Sequence, residues 1–422
     1  MAVVSLPEIK AATDRWTAEP AAVVADLAKL LKRAGEDTDS ALPVLEQLIP
    51  HKEWRERIKH GELPYHAKSL DELFFRYAKA EFREYLRLTE KAVTGPSVTL
   101  PSVTHRCMAL FAAQQWHAVD QLLDHIRPMI GRHIWTNVTF KSEVYEALGR
   151  MSDAEIAAGF AAVEYSAVPD QQGPVIYLAC DYQYYLHFAR PMLRSLAAQR
   201  PGAPVHLHLM DTASAQREEA HAVTGKLGLV VSSSSEVMNP KDRTDIMTAR
   251  GYFHAARFVR LLQHLQRYPR ELWLLDVDGL INRDPAALFN TRGTADIALR
   301  ARPGRFEPWN QFNAAVVGVA PTEKAINYVR LIAAYIAHFY SKDMLGWGID
   351  QLAMYAVYQW LKERGQQPSI ALLDDRAVDY DYREDSVVWC NSGRAKIAPT
   401  EPVDPQSPRA RFDHAFQRYA TP

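Results

Sequence analysis

The sequence predicts a two-part chain: an all-α region over 1–168, an α/β region with a parallel sheet over 173–400, and an extended C-terminal tail over 401–422. Three observations predict it. Apolar residues recur at helical spacing through the first part. From Val175 onward, short aliphatic runs alternate with amphipathic helices, the pattern of strands joined by helical crossovers. Between them lies 164–174, whose Pro169, Gln171, Gln172 and Gly173 interrupt both patterns.

In the first part, Pro20 opens a helix over 21–32 with Val24, Leu27, Leu30 and Leu31 on one face, and Gly35 follows its end. Ser69-Leu70-Asp71-Glu72 is a capping box that opens a long helix running to Gly95. Residues 108–111 and 118–126, on either side of Gln114-Gln115-Trp116, predict a helix pair, and Ser152-Asp153-Ala154-Glu155 caps a last helix. Ala109-Leu110 against Ala147-Leu148 faintly echoes a helical repeat, so the region is either a bundle or an array able to dock a partner.

In the second part, strands are predicted over 175–180, 205–210, 229–232, 272–275, 295–299, 312–319 and 370–373. Helices are predicted over 184–198, 214–227, 251–267, 324–339 and 351–363. Ligands of such sheets gather at the strands' carboxyl ends, where Cys180-Asp181 and Asp276-Val277-Asp278 both fall. His206 and His208 alternate along the second strand and are expected to form one polar face of it rather than a metal pair. The tail from Pro399, with Pro402, Pro405 and Pro408, is expected to be extended.

Composition narrows the function classes. A chain of 422 residues, 48% hydrophobic and 23% charged, is ordinary globular protein, and a net charge of −1 gives no global attraction to nucleic acid or anionic membrane. Cys107, Cys180 and Cys390 lie far apart, which argues against a disulfide framework or zinc ribbon. Without a basic, apolar leader or a run long enough to span a bilayer, the expectation is a cytoplasmic protein.

Asp276 and Asp278 are the candidate metal ligands. In an extended chain, side chains at i and i+2 point the same way, so both carboxylates can meet one hard cation such as Mg2+ or Mn2+. Composition alone supplies about one such triplet in a chain of this length. The setting distinguishes this one: a buried strand before it, Gly279 after it and an Asp284-Pro285 helix start beyond. The rival triplet Asp379-Tyr380-Asp381 follows no strand and is expected to be a solvated loop.

In their order, these motifs resemble nucleotide-sugar glycosyltransferases of the GT-A fold, and most closely the glycogenin-like family 8 enzymes. The resemblance spans 175–398. It implies that Ala179, Cys180 and Asp181 hold the base edge and Tyr184 stacks on the base, although Tyr184 taken alone reads as core. It implies that Arg257, in Ala256-Arg257-Phe258, meets the diphosphate, with Arg260 as the competitor. Asp276, Val277 and Asp278 would form the metal motif, with Val277 where the family has a small residue.

Asn313, in Phe312-Asn313-Ala314-Ala315, would contact the donor sugar, with Ala315 replacing the family's Gly. Asp350-Gln351 would stand beside the transferred sugar, though Asp350 taken alone is a helix cap. Gly393 and Lys396 would grip the diphosphate. The family's metal-binding His falls on Cys390, a poor ligand for a hard cation, which leaves Cys390, Asn391 or water as third ligand.

What the resemblance implies is transfer of a hexose-type sugar from a UDP-sugar to an acceptor, with retention and with Mn2+ or Mg2+. A protein docked on the helical region is one candidate acceptor. Two other readings compete. One is a haloacid-dehalogenase-like phosphatase with Asp276 as nucleophile and Asp374-Asp375 as its acidic motif. The other is a non-catalytic nucleotide-sugar-binding module.

Overall fold

The computed structural model describes residues 100–130, 134–167, 173–239, 246–302, 307–391 and 407–420, together with residue 305 and isolated positions before 100. Of the predicted helix over 21–32 only Asp26 and Leu30 are described, both helical, and the Ser69 capping box and the Gly393 and Lys396 positions lie outside the described residues. The chain divides into two compact units, Met1–Gly131 and Arg132–Pro422. The division falls before the turn-rich stretch at 164–174, because helices expected in the first part belong to the second unit.

In the first unit, α1 (Leu100–Ala112) and α2 (Trp116–Ile130) form the expected helix pair. Phe111 and Trp116 close the turn edge to face, with ring centroids 5.2 Å apart.

The second unit is a mixed α/β domain. It opens with α3 (Ser142–Arg150) and α4 (Asp153–Ala157). The capping box predicted at α4 is made: Glu155 N donates to Ser152 Oγ at 3.2 Å, and Ser152 N donates to the Glu155 carboxylate at 2.6 Å. There follow β1 (Val163–Tyr165), β2 (Val175–Asp181), α5 (Arg190–Gln199), β3 (Pro204–Met210), α6 (Ser214–Gly225), β4 (Val230–Glu236) and α7 (Ile246–Arg267). Next come β5 (Leu272–Leu275), β6 (Leu280–Ile281), α8 (Ala286–Arg292), β7 (Ile297–Ala301), β8 (Phe312–Val319), α9 (Glu323–Tyr340) and α10 (Ile349–Glu363). The last elements are β9 (Ile370–Leu372), β10 (Val378–Asp379), β11 (Val388–Trp389) and α11 (Pro408–Ala420).

The main sheet has the order β1-β4-β3-β2-β5-β8-β7-β9, and a small sheet has the order β10-β11-β6. The parallel core expected from the alternation is β4-β3-β2-β5. The sheet as a whole is mixed, because β8 enters antiparallel between β5 and β7 and β1 pairs antiparallel with β4. Strand alternation divides the side chains between two faces. Ile176, Leu178, Val205 and Leu207 join Met192, Leu193 and Leu196 of α5, Ala220 of α6 and Leu288 of α8 in one apolar core. On the other face, Tyr177 and His206 stack toward His264 of α7.

The polar strand face expected at His206 and His208 exists, but it is fully buried. Ser232 and Ser234 of β4 lie 2.8 Å from both ring nitrogens of His206 and from Nδ1 of His208, whose Nε2 faces Glu236 at 3.7 Å.

The tail is helical rather than extended over Pro408–Ala420. Phe412 is buried with Leu280, Tyr382 and Trp389, and Phe416 packs on the same cluster. Pro408 stands at the first helical position, where a missing N–H has no cost. Arg194 of α5 donates to the carbonyls of Tyr419 at 2.8 Å and Ala420 at 3.0 Å. Among the described residues, no helix is long and apolar enough to cross a membrane.

Candidate active site

The carboxyl ends of β2 and β5 are neighbours in the sheet, since Leu178 pairs with Leu275. The last residues of β2 are Ala179, Cys180 and Asp181, and Tyr184, Asp276, Val277 and Asp278 lie just past the two strand ends. β5 is buried throughout, and Asp276 N donates to the Ala315 carbonyl at 2.7 Å, which holds the first residue beyond the strand against β8. The backbone then turns at Val277 and Asp278. Because of this turn, Asp276 and Asp278 are not an extended i, i+2 pair. The Asp276 side chain is 37% exposed, whereas Asp278 is 4% exposed.

Gly279 is required here for close approach: a Cβ at that position would run into the Trp389 carbonyl oxygen. The contact draws the small sheet against the turn and brings Cys390 beside both aspartates. Burial pushes the Cys390 thiol well above its ordinary range, and the charges of Asp276 and Asp278 add to the effect. The protonated thiol is no ligand for a hard cation. The Asn391 amide oxygen is directed elsewhere, with Tyr382 Oη at 3.4 Å and Arg409 Nη1 at 3.5 Å.

Arg257 of α7 organises the site. One terminal nitrogen donates to Asp276 Oδ1 and the other to Asp350 Oδ2, so a single guanidinium bridges the strand-end acid and the acid at the start of α10. Burial opposes the charge, but the two carboxylates outweigh it and hold the guanidinium above its usual range. Two carboxylates around one cation leave a net negative charge. Arg257 is therefore placed to fix the acids rather than to stand open for a phosphate. Its Nε is buried without a hydrogen-bond partner among the described residues.

Arg260, the sequence-level competitor, is sealed away from this site. It pairs with Glu236 and donates to the Ala161 carbonyl at 2.8 Å.

Asp350 is 2% exposed, and Gln351 N donates to its Oδ1 at 2.8 Å, so it is both a helix-start acceptor and a partner of Arg257. The loop before α10 is held by Asn137. Asn137 Nδ2 donates to the Met344 carbonyl and its Oδ1 accepts from Gly346 N at 3.0 Å. A side chain at Gly346 would meet that oxygen at 2.7 Å. The loop leaves Trp347 59% exposed, edge-on to His254, which lies one turn before Arg257 on α7.

Asn313 is buried at the start of β8. Its Nδ2 donates to the Tyr380 hydroxyl at 2.7 Å and its Oδ1 accepts from Ala315 N at 2.7 Å. The rival triplet Asp379-Tyr380-Asp381 is therefore part of the site region rather than a solvated loop. Asp379 is 1% exposed and accepts from the backbone N–H groups of Asp381 and Arg383. Tyr380 is pushed up by burial and by the nearby Cys390 and Asp276. Periodicity missed Tyr380 because β10 is two residues long; the available signal was a second Asp-x-Asp enclosing an aromatic.

Around β2, Asp181 Oδ1 accepts from Tyr184 N at 2.7 Å, which starts a helical turn that widens into a π segment over Tyr185–Ala189. Such widened turns recur at functional positions. Tyr184 is 39% exposed rather than core, with its ring 5.0 Å from Phe188. Ala179 is half-buried, and Cys180 and Val277 are buried. Asp374 caps the Arg376 and Ala377 backbone while Asp375 pairs with Arg300 and Arg383, so neither stands ready as a phosphatase's acidic motif.

Among the described residues, no three His, Cys, Asp or Glu side chains gather as a metal-holding group. The carboxylates of Asp276 and Asp278 have the oxygen chemistry that suits Mg2+ or Mn2+, but Asp276 is engaged by Arg257 and Asp278 is 4% exposed, so the described residues form no closed metal cage.

No family model matches the chain, and no curated protein matches it. Several solved structures resemble it. The glycosyltransferase GlyE of Streptococcus pneumoniae TIGR4 is 12% identical with a TM-score of 0.40, over 60% of this chain and 61% of that one. The chain thus spans less than two thirds of the length of GlyE. The galactosyltransferase LgtC, solved with donor and acceptor sugar analogues, is 15% identical with a TM-score of 0.38, over 58% of this chain and 95% of that one. Mouse xyloside xylosyltransferase 1 is 14% identical with a TM-score of 0.36, over 53% of this chain and 98% of that one. At such identities and scores the functional reading rests on the residues themselves.

Proposed function

We propose that this chain is a GT-A-type glycosyltransferase that moves a hexose-type sugar from a UDP-sugar to an acceptor with retained anomeric configuration. The observation that carries the reading is the Arg257 bridge, which joins Asp276 at the end of β5 to Asp350 at the start of α10. The hard step in such a reaction is departure of the nucleoside diphosphate, with negative charge growing on the leaving group and positive charge on the sugar ring.

Asp350, buried and oriented by Arg257, stabilises the sugar's developing positive charge, and Gln351 and Asn313 position its hydroxyls. Tyr184, exposed beside β2, offers its face to the base, with Ala179, Cys180 and Asp181 along the base edge. Val277 lines the turn between the two aspartates, and Gly393 and Lys396 complete the diphosphate grip. A divalent cation held by Asp276 and Asp278 with donor oxygens would supply Lewis-acid stabilisation of the leaving diphosphate. The acceptor is a glycan or a protein, the latter docking on the helical region.

The test is the double variant Asp276→Asn with Asp278→Asn, assayed for UDP-sugar hydrolysis and transfer with Mn2+. Activity is expected to vanish while the far-UV circular dichroism stays as in the parent; undiminished turnover would remove the assignment. A second reading, a binding-only module, is favoured by the neutral Cys390 thiol beside the aspartates. Under that reading the parent binds nucleotide-sugar in calorimetry but shows no hydrolysis.

A further inference from the structure

Two arginines lie over the ring of Tyr380, and their circumstances differ. The Arg300 guanidinium, 5.5 Å from the ring centroid, donates to the Val378 carbonyl at 2.8 Å and pairs with Asp375. The Arg302 guanidinium lies 5.6 Å from the same centroid, and among the described residues no carboxylate pairs with it. Its backbone N–H is engaged by the Gln311 carbonyl at 2.8 Å, so the main chain is fixed while the side-chain donors stay available.

Arg302 is half-buried. A guanidinium partly withdrawn from water without a counter-ion is a standing attraction for an oxyanion, and its forked donors match a phosphate or carboxylate. The ring beneath it connects Arg302 to the site. The Tyr380 hydroxyl accepts from Asn313 at 2.7 Å, and the same tyrosine lies within the field of Asp276. Arg257 has both terminal nitrogens taken by Asp276 and Asp350, and its charge is more than cancelled there. An anionic donor entering this space therefore meets no open donor of Arg257 and is met by a cation other than it.

We propose that Arg302 is that cation: it recognises an oxyanion of the donor, carried either by the diphosphate or by a carboxylated sugar. The proposal rests on the nucleotide-sugar reading. The chemistry of the two sources is shared, and ligands that separate the oxyanions tell them apart. Calorimetry with UDP, UDP-glucose and UDP-glucuronate in the presence of Mn2+ is to be run on the parent chain, Arg302→Gln and Arg302→Lys.

The expected result is a tenfold or greater loss of affinity in Arg302→Gln, with Arg302→Lys retaining most of the binding. If the diphosphate is the anion, all three ligands weaken alike. If the sugar carboxylate is the anion, the parent prefers UDP-glucuronate and the variant loses that preference alone. Unchanged affinities in Arg302→Gln overturn the proposal and leave the transferase reading standing. Equal losses in both variants, with a lowered melting temperature of the ligand-free protein, also overturn it, since stacking rather than charge would then be at issue. A parent chain that binds none of the three ligands removes the transferase reading, and this proposal with it.

Discussion

Arg257 and Arg260 stand one turn apart on α7, are both buried and are both paired with carboxylates, yet they belong to different parts of the molecule. Arg257 bridges Asp276 and Asp350, and its Asp276 partner reaches solvent. Arg260 is 1% exposed and is paired with Glu236 among Tyr252, His208 and His264, with no such opening. The lesson is that a cation's role is set by the exposure of its partners rather than by its own burial. An arginine with one acid open to solvent can orient a reaction, whereas one whose acid is enclosed holds the sheet to its helix.

The largest expected effect breaks the enclosed pair. Arg260→Ala leaves Glu236 charged and unpaired in the interior, and loss of one partner from a buried pair costs about 3–5 kcal/mol. Urea unfolding reads it directly, and a loss below about 1 kcal/mol would mean that the pair is wetter than drawn.

Next is acidity, which separates the two regions. His206 and His208 are kept neutral chiefly by burial, and His264 is lowered to about 4 for the same reason. Charged and titratable groups face them from every side: Glu236 on β4, Tyr177 on β2, Tyr165 on β1, and Arg260 and Arg267 on α7. Because the folded histidines hold protons less tightly than the unfolded ones, the unfolded chain takes up protons first as pH falls. Stability is therefore full above about pH 6.5 and declines below it. His264 alone contributes about 3 kcal/mol of that loss by pH 4. Melting temperatures across pH 8 to 4 should fall, and His264→Gln should flatten the slope.

The smallest effect sharpens the open side. Arg257→Lys keeps the charge but replaces a planar fork with a single point, so one ammonium cannot hold both acids in register. UDP-sugar hydrolysis should drop roughly ten- to a hundredfold, or about 1.4–2.7 kcal/mol of barrier. The melting temperature should move much less than in Arg260→Ala. Parent-like hydrolysis would reduce the bridge to packing.

The strands at 272–275 and 312–319 were legible to the residue because their runs are apolar apart from Asn313. Motif order singled out Asp276, Asp350 and, together with its competitor, Arg257, and the structure joins these three in one ion-pair bridge. What separates the two arginines lies in partners far along the chain, which no local pattern encodes. Tyr380 escaped because it meets Asn313 across 67 positions and sits beside a two-residue strand. The C-terminal helix was legible in Phe412, Phe416 and Tyr419 at spacings of four and three, but the three prolines before it masked that signal.

Asn137 grips the loop before α10 across 207 and 209 positions. A closure that long is among the slowest to form during folding, since the intervening chain must be ordered before the contact gains anything. The segment that carries Trp347 and aims Asp350 is therefore assembled late, as is the C-terminal helix that Arg194 holds across 225 positions. An unfinished chain emerging from synthesis would have most of its sheet in place while the acid beside the sugar still had no fixed address.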